Sequence, residues 1–108
     1  MDIGERIKAF VEEVPVVLFM KGDRMFPQCG FSGKSVQILE ACGADYETVN
    51  VLADDEVRQG IKDYSSWPTV PQLYVGGEFV GGSDILTDLY ESGDLQLILD
   101  SVKGVEPQ

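Results

Sequence analysis

An α/β fold, with a four-stranded mixed sheet flanked by helices, is what this sequence predicts, and three observations carry that prediction. The first is Val16-Val17-Leu18-Phe19-Met20, a short, continuously apolar run of the kind seen in a central strand buried on both faces. The second is the order strand, helix, strand through residue 51, which calls for a right-handed crossover between two parallel strands. The third is Gln72-Leu73-Tyr74-Val75, Gly76-Gly77, Glu78-Phe79-Val80-Gly81, a hairpin with a two-residue turn and so antiparallel by construction. Helical segments before, between and after these strands place helices on both faces of the sheet.

Residues 2–13 carry Ile3, Ile7, Phe10 and Val11, with Val14 following, at steps of four, three, one and three, a helical stripe that Pro15 ends. After the first strand comes a polar loop, and residues 33–42 predict the second helix, with Val36, Leu39 and Ile38 inward and Gly43 as its left-handed stop. Residues 45–51 are β-prone. Asp54-Asp55-Glu56 put carboxylates at the start of the third helix, where they read as a cap, and Val57, Ile61 and Tyr64 face inward. Ser65-Ser66-Trp67-Pro68-Thr69-Val70-Pro71 predicts a rigid, shaped loop. Pro71 is open to two readings: a plain strand start, or a cis peptide that turns the Val70 backbone toward a ligand. Gly81-Gly82-Ser83-Asp84 opens the fourth helix, with Ile85, Leu86 and Leu89 inward. Asp94 starts a last short helix with Leu95, Ile98, Leu99 and Val102, and residues 103–108 read as a frayed tail.

With 108 residues and no repeat or linker, one domain over 1–108 is expected. A net charge of −11 argues against nucleic acid and anionic membrane surfaces, both of which need clustered Lys and Arg. The absence of histidine removes Cys-His and Ser-His-Asp catalysis and every imidazole metal site. No apolar run is long enough to span a bilayer. Residues 1–6 lack the order of a secretory signal, and two cysteines suit a reducing compartment. The expected location is the cytoplasm, or an organelle interior if a targeting segment has been removed.

The chemistry points to Cys29. It stands just before a helix, where the positive end of the backbone dipole and free N–H groups favour thiolate over thiol, and Lys21 adds a second positive influence. Position 32 is Ser, so the second thiol of a Cys-x-x-Cys pair is absent. The bland alternative is a small apolar residue packed under a loop. Cys42 lies at the far end of the same helix, about 20 Å away by helical rise, too far for a disulfide, and reads as a buried helix-end residue. Ser83 and Asp84 either cap the fourth helix or, with Gly82, meet a ligand: N–H groups for a carboxylate and Asp84 for an amine. Cys29, Thr69-Val70-Pro71 and Gly82-Ser83-Asp84 share the loop ends where open α/β sheets bind ligands. With Lys21 and Arg58 as carboxylate partners, the pooled groups suit a small zwitterionic peptide containing a thiol.

Lys21-Gly22 with Pro27-x-Cys29-Gly30-Phe31-Ser32, then residues 67–74, then Gly81-Gly82-Ser83-Asp84, resemble the monothiol glutaredoxins of the Cys-Gly-Phe-Ser type over about residues 5–100. Three motifs in order at matching spacing make the resemblance specific. It implies a thioredoxin-like fold, a cis Pro71, and glutathione contacts at Lys21, Arg58, Val70, Ser83 and Asp84, with Phe31, Thr69, Pro71 and Gly82 in the same site. It also implies that two chains and two glutathiones hold one [2Fe-2S] cluster through Cys29. The residue inventory agrees, because such a cluster takes four thiolates and one chain offers one well-placed sulfur. One departure is Ser83, where many relatives carry Cys; a disulfide from that position to Cys29 is unavailable here.

Two functions follow, and a redox-sensing interaction module is a weaker third. One is a carrier that holds [2Fe-2S] as a homodimer with glutathione and passes it to iron-sulfur recipient proteins. The other is a glutathione-dependent oxidoreductase working by a monothiol route. Met25 and Phe26, in the loop before Cys29, are expected to crowd a second glutathione and so to favour the carrier.

Overall fold

The computed structural model describes residues 1–103. Five α-helices and four strands follow one another: α1 (Ile3–Glu13), β1 (Val16–Met20), α2 (Gly30–Ala41), β2 (Glu47–Asn50), α3 (Asp55–Ser65), β3 (Gln72–Val75), β4 (Glu78–Gly81), α4 (Ser83–Ser92) and α5 (Asp94–Asp100). The strands form one sheet in the order β2-β1-β3-β4, with β1 parallel to β2 and antiparallel to β3. This is the mixed sheet that the crossover and the hairpin predicted.

β1 is apolar throughout because it feeds two cores. Val16, Leu18 and Met20 point into a layer with Val36, Leu39, Leu86, Leu95 and Leu99, from α2, α4 and α5. Val17 and Phe19 point the other way, to Ile7 and Val11 of α1 and Ile61 of α3. Strand alternation thus serves both faces at once.

Four boundaries or faces differ from the sequence reading. α2 begins at Gly30, three residues before the predicted Gly33, because the Gly33 N–H already bonds the Cys29 carbonyl at 2.9 Å. Two early glycines and the lack of a capping side chain hid that first turn. β2 covers only Glu47–Asn50: Tyr46 is buried in the core beside it, and Val51–Ala53 turn into a short 3₁₀ helix capped by the Asn50 side chain. Phe10 is 37% exposed, so the inward stripe of α1 is Ile3, Ile7, Val11 and Val14. α5 ends at Asp100, short of Val102, and of the predicted tail only Lys103 lies within the described residues. The Asp54 carboxylate does cap α3, accepting from the Glu56 and Val57 N–H groups.

No helix among the described residues is long and apolar enough to cross a membrane.

Candidate functional site

β1 delivers the chain to a loop fixed at several points. The Lys21 N–H donates to the Ser32 hydroxyl at 3.0 Å, and the Gly22 N–H to Asn50 Oδ1 at 2.9 Å. Gly22 has φ +88, and a Cβ there would lie 2.5 Å from the Phe26 carbonyl oxygen, so only glycine allows this loop to close so tightly. The Asp23 carboxylate accepts from the Met25 and Phe26 N–H groups. Farther out, Arg24 lies over the Tyr46 ring at 3.9 Å and pairs with Glu40 at 3.0 Å.

The loop ends at Cys29, the N-cap of α2, in extended backbone and with no side-chain capping bond. Its thiol is held below the ordinary value. The Ser32 N–H contributes most, desolvation opposes, and the Phe31 N–H, the Lys21 charge and the Ser32 hydroxyl add to the lowering. Cys42, the C-cap of the same helix, is pushed the other way by burial and by Asp100. Both thiols are free.

Cys29 stands on the wall of a cleft of about 420 Å³. Lys21, Phe31 and Arg58 line it, as do Thr69, Val70 and Pro71, and Gly82, Ser83 and Asp84 close its far side. All ten residues singled out in the sequence therefore meet around one space. The Val70–Pro71 peptide is cis. The fully buried Gln72 shapes the loop from below: its amide donates to the Trp67 and Thr69 carbonyls at 3.3 and 3.0 Å, and its oxygen accepts from the Tyr74 hydroxyl. Gly82 is the N-cap of α4 and makes no side-chain cap bond. A Cβ on it would sit 3.1 Å from the Pro71 carbonyl oxygen, so glycine lets the two loops touch. Capping does not employ Ser83 either. Its hydroxyl is buried on the cleft wall and has no hydrogen-bond partner among the described residues.

Two findings lay outside the sequence reading. Lys62 also lines the cleft, one turn beyond Arg58 on α3, a spacing of four that could have revealed it. Met25 and Phe26 are 76% and 70% exposed and lie outside the cleft walls. The crowding expected of them is therefore not found, because their side chains turn to solvent, and Phe31 is the large apolar residue near Cys29 in sequence that lines the cleft. A larger cavity, about 570 Å³, sits at the opposite pole of the sheet, but its one sulfur is the raised thiol of Cys42, so the reactive chemistry belongs to the cleft.

Residues 16–80, more than half of the chain, match the glutaredoxin family. The chain is 58% identical to the uncharacterized monothiol glutaredoxin ycf64-like of Synechocystis sp., covering 88% of this chain and 89% of that protein. It is a monothiol glutaredoxin. The mitochondrial monothiol glutaredoxin-5 of Schizosaccharomyces pombe is 50% identical to it, covering 96% of this glutaredoxin and 73% of its relative. The solution structure of reduced poplar apo GrxS14 is 52% identical, with a TM-score of 0.79, covering 90% of this chain and 89% of that one. The thioredoxin-like fold is thus shared as well as the sequence.

Proposed function

We propose that this glutaredoxin is a single domain over residues 1–108 that binds glutathione in the Cys29 cleft and, as a homodimer, carries a [2Fe-2S] cluster as cargo to iron-sulfur recipient proteins. The observation that carries this reading is the lone thiol of Cys29 on the cleft wall, its pKa lowered by the Ser32 N–H, with Ser32 in place of a second thiol and its hydroxyl engaged by the Lys21 N–H. One chain offers one sulfur there. A four-thiolate cluster must then draw on a second chain and on two exogenous thiols.

Glutathione fits the side chains present. Lys21, Arg58 and Lys62 supply positive charge for its carboxylates, Asp84 can take its ammonium, and the unpartnered Ser83 hydroxyl offers a hydrogen bond that the fold leaves unused. An orphaned buried hydroxyl costs the free protein about 1–3 kcal/mol, which a ligand acceptor would recover. Phe31, Thr69, Val70, Pro71 and Gly82 form the walls that orient the peptide beside Cys29. Bound there, glutathione supplies a second thiolate next to that of Cys29. The exposed Met25 and Phe26 of the loop before Cys29, outside the cleft, with Phe31 in the first turn of α2, offer an apolar apron to a second chain or a recipient.

Anaerobic reconstitution with iron, sulfide and glutathione, followed by native mass spectrometry, tests this reading. The coloured species should contain two chains, two glutathiones and one cluster. Cys29→Ser should abolish it and Cys42→Ser should not. A cluster on one chain, or one surviving Cys29→Ser, refutes the assignment.

The oxidoreductase reading has one observation in its favour: Met25 and Phe26 leave the approach to Cys29 open. Reduction of a glutathionylated substrate at least about tenfold slower than by a Cys-x-x-Cys relative, about 1.4 kcal/mol in the barrier, is expected of a carrier. Comparable turnover would favour the enzyme. Two free cysteines suit a reducing compartment, which we take to be the cytoplasm, or an organelle interior if a targeting segment has been removed.

A further inference from the structure

The cavity at the pole opposite Cys29 has a character that the thiol chemistry does not use. Its floor is apolar, built from Phe10, Val14, Tyr46, Leu99 and Val102. Around it three helices end: α1 at Glu13, α2 at Ala41 and α5 at Asp100, and none has a basic residue in its last turn. Helix C-termini carry partial negative charge, and cations are what they favour. Asp45, Glu47 and Asp100 add three exposed carboxylates, none in an ion pair among the described residues, against the single Lys103. α2 therefore separates two unlike poles, an anion-favouring cleft at its start and an electronegative apolar pocket at its end, about 18 Å apart by helical rise.

We propose that this pocket is a docking site for a basic, apolar segment of a partner protein, one that inserts a long aliphatic side chain and sets Lys or Arg against Asp45, Glu47 and Asp100. Charge complementarity selects that occupant. A second copy of this chain, net −11, would set like charge against the carboxylates of this pole, so the pairing of two chains proposed at Cys29 does not extend here. A volume of about 570 Å³ accommodates one or two large side chains, and burying their stems there leaves their charged heads at the rim. A partner held at this pole leaves the Cys29 cleft uncovered.

The test is titration of the ¹⁵N-labelled full chain with acetyl-Leu-Arg-Leu-Arg-amide and, separately, with acetyl-Leu-Glu-Leu-Glu-amide. The basic peptide should give saturable shifts at residues 42–47 and 96–103 and none at residues 29–32 or 82–84. Its affinity should fall about tenfold in the triple variant Asp45→Asn, Glu47→Gln, Asp100→Asn, and also fall as salt rises. Far-ultraviolet circular dichroism checks that this variant is folded; should it not be, Glu47→Gln alone must still lower affinity measurably. Equal binding of the acidic peptide, shifts centred on Cys29, or no saturation would overturn the proposal. So would nuclear Overhauser contacts from residues 104–108 to Phe10 or Tyr46 that the basic peptide cannot displace.

Discussion

Removing Arg58 and Lys62 tests the cleft most directly. Both are half-buried, both line the same wall one helical turn apart, and neither makes an ion pair among the described residues. No ion pair among the described residues depends on either charge, and beyond about 0.3–1 kcal/mol that Lys62 contributes in the last turn of α3, truncation should act on the ligand. A hydrogen bond to a charged group contributes about 1.5–3 kcal/mol. Solvent screening in an open cleft reduces this to about 1 kcal/mol for each cation. Arg58→Ala should then weaken glutathione binding about fivefold, Lys62→Ala about fourfold because ammonium lacks the planar fork, and the double variant about twentyfold. The assay is the equilibrium constant for mixed-disulfide formation between Cys29 and glutathione disulfide, read by intact mass in a Cys42→Ser background. Thermal unfolding of each variant serves as the control. At about 1 M salt the differences should shrink, since the screening length falls to about 3 Å. A double variant within twofold of its parent, with stability unchanged, would falsify the placement of the glutathione carboxylates on α3.

Four further outcomes are expected. Iodoacetamide should alkylate Cys29 well before Cys42 at neutral pH, because the fold lowers one thiol and raises the other; peptide mass spectrometry that finds Cys42 modified first contradicts this. Since the folded pKa of Cys29 is depressed, its thiolate stabilises the native state fully above the ordinary value of 9.0, and that contribution is lost as pH falls through the folded pKa. Gly22→Ala should cost at least about 2 kcal/mol in denaturant unfolding, through left-handed strain plus contact with the Phe26 carbonyl, and an unchanged midpoint would show that the loop relaxes freely. Gln72→Leu should cost about 1–3 kcal/mol and loosen glutathione binding together, because the Trp67 and Thr69 carbonyls and the Tyr74 hydroxyl lose their partner; a variant that loses stability but keeps full affinity would separate Gln72 from the site.

What the sequence determined by itself was whatever depends on local periodicity and on chemistry at short range. The unbroken apolar run of β1 announced a strand buried on both faces, the Gly-Gly dipeptide announced the hairpin, and a cysteine at a helix start announced a low thiol pKa. Each is a property of a few neighbouring residues, and so are the three motifs that carry the family resemblance. Where local signals conflicted, reading stopped: Gly30 and Gly33 disguised the first turn of α2, and Phe10 matched the α1 stripe although it lies on the edge of that face. Tertiary structure alone decided which distant groups share a space. The Gln72 bonds to Trp67 and Thr69 and the placement of Lys62 one turn from Arg58 are local contacts that periodicity alone did not single out, whereas Lys21, Cys29, Arg58 and the unpartnered Ser83 hydroxyl come to one cleft only through packing between elements far apart in sequence. The directions of Met25 and Phe26 are of the same kind. Their bulk is visible in the sequence, but turning to solvent depends on the Asp23 turn and on Arg24 reaching across to Glu40 and Tyr46, contacts that close only once α2 and β2 lie side by side.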